Sequence, residues 1–353
     1  MISFRSYKKF IQSKSYNITG LELNFQNNKI GDQIVKECTT ALINYKELQI
    51  LEIDLSTNQI TQDGVSHLCQ FLEQNKKLQK FSLNLWGNQV NEKSLQELFS
   101  CVFSYTNLNS LKICVNAQSI NDETTDGNFQ YKFVTNVNLK VLTFQFEGST
   151  FFDKFYSDFG IGLQQFPNLT SLNLNLDNNK TVGKNLKALG EGISSLKSLI
   201  QLKLNLNYNN LTDLEFSDLI SGISKCKNIQ ILDLIANKNN LNGETFFIFE
   251  DLFKDCQEIS SLNLQLRYNI ISEENAPKLA SALEISKNLK SLGLNLDGNY
   301  IQIAGYSSIV TSLINCSGIR YLKFSALDNN VRIEFEKKQS QKMLRKIKQL
   351  VSF

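Results

Sequence analysis

The chain has 353 residues, 42% of them hydrophobic and 20% charged, with only two prolines, a balance that excludes extended disorder. Charges interrupt the opening Met1–Phe10 and no apolar run approaches the length of a membrane span, so neither a secretory leader nor a transmembrane helix is expected. Net charge is +3, but Arg5, Lys8, Lys9 and Lys14 stand at one end without an acid, and seven bases face only Glu334 and Glu336 over 332–353, which makes the body mildly acidic between basic ends.

Residues 1–17 fit the helical half of an incomplete unit, with Ile2, Phe4, Tyr7, Phe10 and Ile11 available to cover the first full repeat. From residue 18 onward a pattern recurs. It starts with an apolar residue, skips two, and then alternates: Leu48, Leu51, Ile53 and Leu55 before Asn58; Leu78, Phe81, Leu83 and Leu85 before Asn88; Leu199, Leu202, Leu204 and Leu206 before Asn209. Alternation of period two predicts a short strand with one buried face. Spacing such as Val65, Leu68, Phe71 and Leu72, or Leu214, Phe216, Leu219, Ile220 and Ile223, predicts a helix after it.

Aligned on the residue after the alternation, the positions are Asn28, Asn58, Asn88, Gln118, Ser149, Asn179, Asn209, Asn239, Asn269, Asn299 and Asn329, at intervals of 30 residues with one of 31. Repetition in such register is the mark of a solenoid. Strand then helix, eleven times, requires parallel strands joined by right-handed crossovers.

The fourth and fifth units depart from the pattern. They hold the one-residue insertion, replace the asparagine by Gln118 and Ser149, and run through the polar stretch 121–128. The fifth is crowded with Phe144, Phe146, Phe151, Phe152, Phe155, Tyr156, Phe159 and Phe166. Two accounts stand: larger core residues compensating for a loosened helix, or a docking patch on the convex side. At the far end, Met343, Leu344, Ile347, Leu350 and Val351 oppose Lys342, Arg345, Lys346 and Lys348. That arrangement predicts a basic capping helix over 332–353, since a terminal repeat needs one polar face; the alternative is contact with an acidic partner, an anionic membrane or nucleic acid.

The repeat resembles the leucine-rich repeat, and by its length and helical half the ribonuclease-inhibitor-like subfamily. An extra x-Leu step departs from the family pattern and lengthens each strand. The resemblance implies an α/β horseshoe solenoid, a single repeat domain over 1–353, with a parallel sheet on the concave side and helices outside. It also implies that the asparagines turn inward to bond the backbone of neighbouring turns, where water cannot reach. The tandem Leu-Asn-Leu-Asn-Leu and the asparagine- and lysine-rich usage are similar to leucine-rich repeat proteins of ciliates.

Strand residues between the buried positions must face the concave side. They include Glu52, Asp54, Asn84, Lys112, Cys114, Gln145, Asn173, Asn175, Lys203, Asn205, Asp233, Gln265 and Asn295. Trp86, the only tryptophan, follows Leu85 at the rim and is either a binding hot spot or a ring packed over its neighbours. This neutral amide face has no basic stripe interleaved with aromatics, so nucleic acid is not an expected partner.

Catalysis finds no constellation. His67 is the sole histidine and has no serine or cysteine that the repeat would bring near; Gly190 and Gly192 lie inside a repeat helix rather than a phosphate loop. No Cys-x-x-Cys pair suggests zinc, and Cys226, Cys256 and Cys316 share one repeat position as buried, reduced fillers. No cofactor or metal is expected. The sequence therefore reads as a non-enzymatic, cytoplasmic scaffold for protein partners within a larger assembly, cytoskeletal or ciliary by resemblance. The alternative is a regulator of an enzyme, such as a GTPase-activating protein or the substrate receptor of a ubiquitin ligase. Against it stand the basic rather than acidic tail and the lack of an F-box-like segment before the repeats.

Overall fold

The computed structural model describes residues 1–116, 133–148, 153–179 and 186–331, with the side chains of 153–156 outside that set. They fall into two compact units, Met1–Asn179 and Lys180–Phe353.

In the first unit the strands are β1 (Ile2–Phe4), β2 (Gly20–Asn24), β3 (Ile50–Asp54), β4 (Lys80–Asn84), β5 (Ser110–Cys114), β6 (Val141–Gln145) and β7 (Ser171–Asn175). Each pairs in parallel with the next. The register follows the sequence period: Leu21 lies beside Leu51, Leu51 beside Phe81 and Phe81 beside Leu111. Leu111 then pairs with Leu142, so the 31-residue interval is absorbed outside the strands. Between the strands run α1 (Tyr7–Gln12), α2 (Asp32–Leu42), α3 (Gln62–Gln74), α4 (Glu92–Val102) and α5 (Asp153–Leu163).

The first segment differs from its expected form. Ile2–Phe4 adds a strand ahead of the helix, pairing Ile2 with Leu21 and Phe4 with Leu23. Three residues are too few to display an alternation in sequence. Phe10 of α1 is fully buried and stacks on Tyr45, at 5.8 Å between ring centroids.

The second unit repeats the arrangement with β8 (Gln201–Asn205), β9 (Ile231–Ile235), β10 (Ser261–Gln265), β11 (Ser291–Asn295) and β12 (Tyr321–Ser325), again parallel and in register. Its helices are α6 (Leu186–Ser194), α7 (Asp213–Ile223), α8 (Ile248–Asp255), α9 (Ala276–Ile285) and α10 (Gln302–Asn315). In α7, Phe216, Leu219, Ile220 and Ile223 are buried as their spacing predicts, whereas Leu214 is 68% exposed. Leu214 falls in the first turn, one step off the buried stripe.

Strands β2 to β11 bury their alternate residues, for example Leu172 and Leu174, or Leu232 and Leu234, while β1 buries none and β12 only Leu322. The aromatic residues described in the fifth repeat are core. Phe144, Phe146, Phe159 and Phe166 are all buried, and Phe144 stacks on Phe146 at 5.1 Å and meets Phe159 edge-on at 5.4 Å. Gln118, Ser149, the stretch 121–128, Phe151, Phe152 and the side chains of Phe155 and Tyr156 lie outside the described residues, as does the basic segment 332–353 with Lys342, Arg345, Lys346 and Lys348.

Candidate functional site

The strand face is laid over three ladders of side-chain hydrogen bonds, and these decide which polar residues are free to meet a partner. The first ladder is the asparagine after each strand. Asn239 Oδ1 accepts from the backbone N–H of Asn209 and Leu211, both at 3.0 Å, while its Nδ2 donates to the carbonyls of Leu206 at 2.9 Å and Ala236 at 3.1 Å. Asn58 does the same between the first repeats, accepting from Asn28 and Ile30 and donating to Phe25 and Leu55. Each of these two side chains satisfies at least four backbone groups inside the stack, whereas Asn28, expected to do the same, is exposed and donates to the Gln26 carbonyl of its own repeat, having no full repeat ahead of it to reach.

The second ladder closes the helices. In four units the position three residues before the first apolar residue holds Tyr105, Cys226, Cys256 or Cys316, and each donates to a last-turn carbonyl in the helix of the preceding repeat: Leu72, Ile193, Ile223 and Leu283 respectively. The thiols expected as apolar fillers are thus also weak donors to carbonyls left open at a helix end. Burial pushes the Cys226 and Cys256 thiols up to about 12 and that of Cys316 to about 11. All seven cysteines are unbridged.

A third set sits in the loop before each strand. Asn107, Asn138, Asn168, Asn228 and Asn288 donate from Nδ2 to Lys76, Thr106, Val137, Lys197 and Gln257 of the preceding repeat. Here the first unit carries a polar groove of about 620 Å³ lined by Lys77, Gln79, Asn107, Asn138 and Lys140 among others, a feature the strand pattern did not point to.

Helix starts are also tied across repeats. Asp32 Oδ1 accepts from the backbone N–H of Thr61 at 2.9 Å and Gly64 at 3.0 Å, at the start of α3. Asp213 likewise takes the backbone N–H of Asn242 and Gly243, at 2.7 and 2.9 Å, but there it fixes the turn that leads to α8 rather than the helix start itself. A carboxylate at the positive end of a helix is favourable, and here the preceding repeat supplies it.

Against this framework the strand-face residues divide into two rows. The row at the strand ends is largely occupied with turning the chain. Asp54, Asn84, Asn175, Asn205 and Asn295 each accept from the backbone N–H two residues on, at 2.9, 3.1, 3.1, 3.2 and 3.0 Å, the Asx turn that short polar side chains favour. Cys114, expected on the open face, is instead 6% exposed, its Sγ donating to Gln145 Oε1 at 2.9 Å. Ile235 holds the equivalent place in β9 as an aliphatic residue.

The inner row carries the charges. Glu22 and Glu52 are direct neighbours in register, and Lys80 Nζ relieves Glu52 at 2.7 Å. Lys112 is exposed, and Asn173 is half-buried in β7. In the second unit Lys203 Nζ lies 3.4 Å from Asp233 Oδ2, Asn263 Nδ2 donates to Asp233 Oδ1 at 2.5 Å, and Gln265 Nε2 donates to Asn263 Oδ1 at 2.7 Å. Gly293 interrupts the row and leaves a cleft of about 250 Å³ floored by β10 to β12, with Tyr321 and Lys323 in its wall. Trp86 is 48% exposed while its backbone is bound on both sides, its N–H to Asn84 and its carbonyl to Thr57. These residues form rows within each unit and do not converge on one enclosed pocket.

The His67 side chain is half-buried on α3. Among the described residues no group of three or more His, Cys, Asp or Glu side chains could hold a metal ion, and no helix is long and apolar enough to cross a membrane. Gly190 and Gly222 serve packing between α6 and α7: a Cβ on Gly222 would come within 2.2 Å of the Gly190 carbonyl oxygen.

A 30-residue strand-helix period, parallel register and an inward asparagine ladder define the fold of each unit as a leucine-rich repeat solenoid of the α/β class. No protein-family model matches the chain, and no curated protein matches it. Among solved structures it is similar to an internalin (inlF) from Listeria monocytogenes, at 15% identity and a TM-score of 0.42, over 98% of this chain and 88% of that one.

Proposed function

We propose that this protein is a non-enzymatic interaction scaffold, or a structural subunit of a larger assembly, that meets protein partners through the open faces of its parallel sheets. The observation that carries this reading is the division of labour across each strand. The inward ladders consume the asparagines that hold the stack, and the inner row leaves exposed Lys112 and half-buried Asn173, Lys203 and Asp233 in fixed register for a partner. Rows spaced by strand pairing, about 4.8 Å apart, suit an extended protein surface better than a small substrate.

The finer reading is a cytoplasmic assembly of cytoskeletal or ciliary type. It draws support from seven unbridged thiols, a pattern suited to a reducing compartment, and from the similarity of the Leu-Asn-Leu-Asn-Leu strands to ciliate repeat proteins. The ribonuclease-inhibitor-like subfamily is favoured by the 30-residue period with a full helix in each described repeat of α2 to α4. Lys342, Arg345, Lys346 and Lys348 remain a proposed basic contact for an acidic partner. Native sizing of the endogenous protein tests the reading: it should elute in a complex well above the 40.2 kDa of the chain. A free monomer throughout the extract would contradict it.

A further inference from the structure

In the described turns after the strands, the residue just before the aligned asparagine position takes a left-handed backbone, and Lys29, Asn210 and Asn330 do so two places further on. In the first unit the described members are Asn27, Thr57, Gly87, Gly148 and Asn178, and in the second Tyr208, Lys238, Tyr268, Gly298 and Asp328, with φ from 53° to 73°. Glycine and asparagine tolerate this conformation, while other side chains are disfavoured there. The first unit mostly obeys that preference. The second places two tyrosines and a lysine in succession where the turn disfavours them. Burial does not compensate, since Tyr208 and Tyr268 are 47% and 46% exposed.

These three side chains are organised instead around one another. Lys238 Nζ lies 4.7 Å from the Tyr208 ring centroid and 5.4 Å from that of Tyr268, and the Arg267 guanidinium carbon stands 5.2 Å from the Tyr268 ring. Gly298 in the next turn makes room, because a Cβ there would meet the Tyr268 ring at 2.3 Å. Arg267 is tethered to Asp297 at 3.4 Å, whereas among the described residues no carboxylate lies within ion-pair reach of Lys238. Ile235, the aliphatic residue of the outward strand row, leads into the Lys238 turn.

An exposed aromatic pair held rigid around an unneutralised ammonium has the makings of a recognition hot spot: large contact area, little rotamer freedom left to lose, and a charge awaiting its complement. We propose that Tyr208, Lys238 and Tyr268 form a docking site for an acidic linear segment of a protein partner. One carboxylate of that segment takes Lys238 Nζ, and an adjoining apolar side chain rests against the tyrosine rings and Ile235. A nucleic acid fits less well. Its phosphates need a row of cations, whereas this row of turns offers one unpaired ammonium beside an Arg267 already bound to Asp297, and Lys238 already occupies ring faces on which bases would stack.

This proposal rests on the scaffold reading, and it has its own test. A displayed library of random 12-residue peptides is selected on the full chain, and the enriched peptides are measured by fluorescence polarisation beside a 20-nucleotide oligo-dT probe. The expected result is enrichment of Asp- or Glu-bearing peptides that bind at least tenfold more weakly to Lys238→Gln and to the double variant Tyr208→Asn/Tyr268→Asn. Because asparagine suits the left-handed turn, the double variant should melt no lower than the parent chain, which separates recognition from a structural role. Four results would overturn it: no enriched peptide, peptides indifferent to both variants, tighter binding of oligo-dT, or a melting point lowered by several degrees in the double variant. A partner that docks on another part of the chain, with no peptide binding here, removes this site and leaves the scaffold reading. Peptide binding here by a protein that is a free monomer in its own extract does the reverse.

Discussion

Asparagine is used in this chain for at least three purposes that its name does not distinguish. Asn239 is buried and answers four backbone groups; Asn205 is half-buried and turns the strand end; Asn228 reaches back from a loop to Lys197. Replacing Asn239 by Ala strands two N–H groups and two carbonyls away from water, and should cost about 2–4 kcal/mol in urea unfolding. At the equivalent place in β11, half-buried Asn295→Ala loses an Asx bond and should cost about 0.5–1 kcal/mol. Equal losses would contradict the division between the two rows. The buried thiols make a second prediction at this scale. Up to the ordinary thiol value of 9.0 both folded and unfolded chains keep the proton, and the contribution of burial is complete. Above it the unfolded chain ionises while folded Cys226 and Cys256 stay protonated to about 12, so stability should fall as pH rises through that window. Cys226→Ala/Cys256→Ala should flatten the decline between pH 9.0 and about 12, and an unchanged slope would refute it.

At the scale of the element, the helices are held in place by contacts that cross from repeat to repeat. Asp32 caps the helix start of the next repeat, Asp213 fixes the turn ahead of α8, and the thiol and tyrosine donors close helix ends of the preceding repeats. Between α6 and α7, Gly190 meets Gly222 backbone to backbone. Gly222→Ala would drive a methyl into the Gly190 carbonyl, and neither helix backbone can yield cheaply. We expect about 1–3 kcal/mol of destabilisation or more, read from the denaturation midpoint. Gly31→Ala, where a Cβ meets nothing within 4 Å, is the control and should change little. A Gly222 variant as stable as the control would show that the helices can part without loss.

For the whole molecule, the fold was legible because every turn of a solenoid imposes the same demand. The strand residues Leu202, Leu232, Leu262 and Leu292 pair side by side in the sheet and recur 30 residues apart in the chain. The inward asparagines were legible for the same reason. What sequence left open depends on relations that a linear pattern does not carry. The Asx turns of Asn84 and Asn205 close over only two residues, but by a side-chain orientation the letter does not carry, and the partner of Asp32 lies about one repeat away, so none of the three could be told from free polar residues. Tyr208, Lys238 and Tyr268 escaped notice because a left-handed φ has no letter of its own. Both units keep their structural side chains inward and leave charged side chains on the strand faces, and on that division the scaffold reading depends. The most direct test is a cross-link map of the native complex with a lysine-reactive reagent. Intermolecular links should concentrate at the strand-face residues Lys112, Lys203 and Lys323 and at the rim residue Lys238. Links confined to helix-side lysines such as Lys36, Lys187 and Lys278, with the strand-face lysines joined to no other protein, would contradict the account.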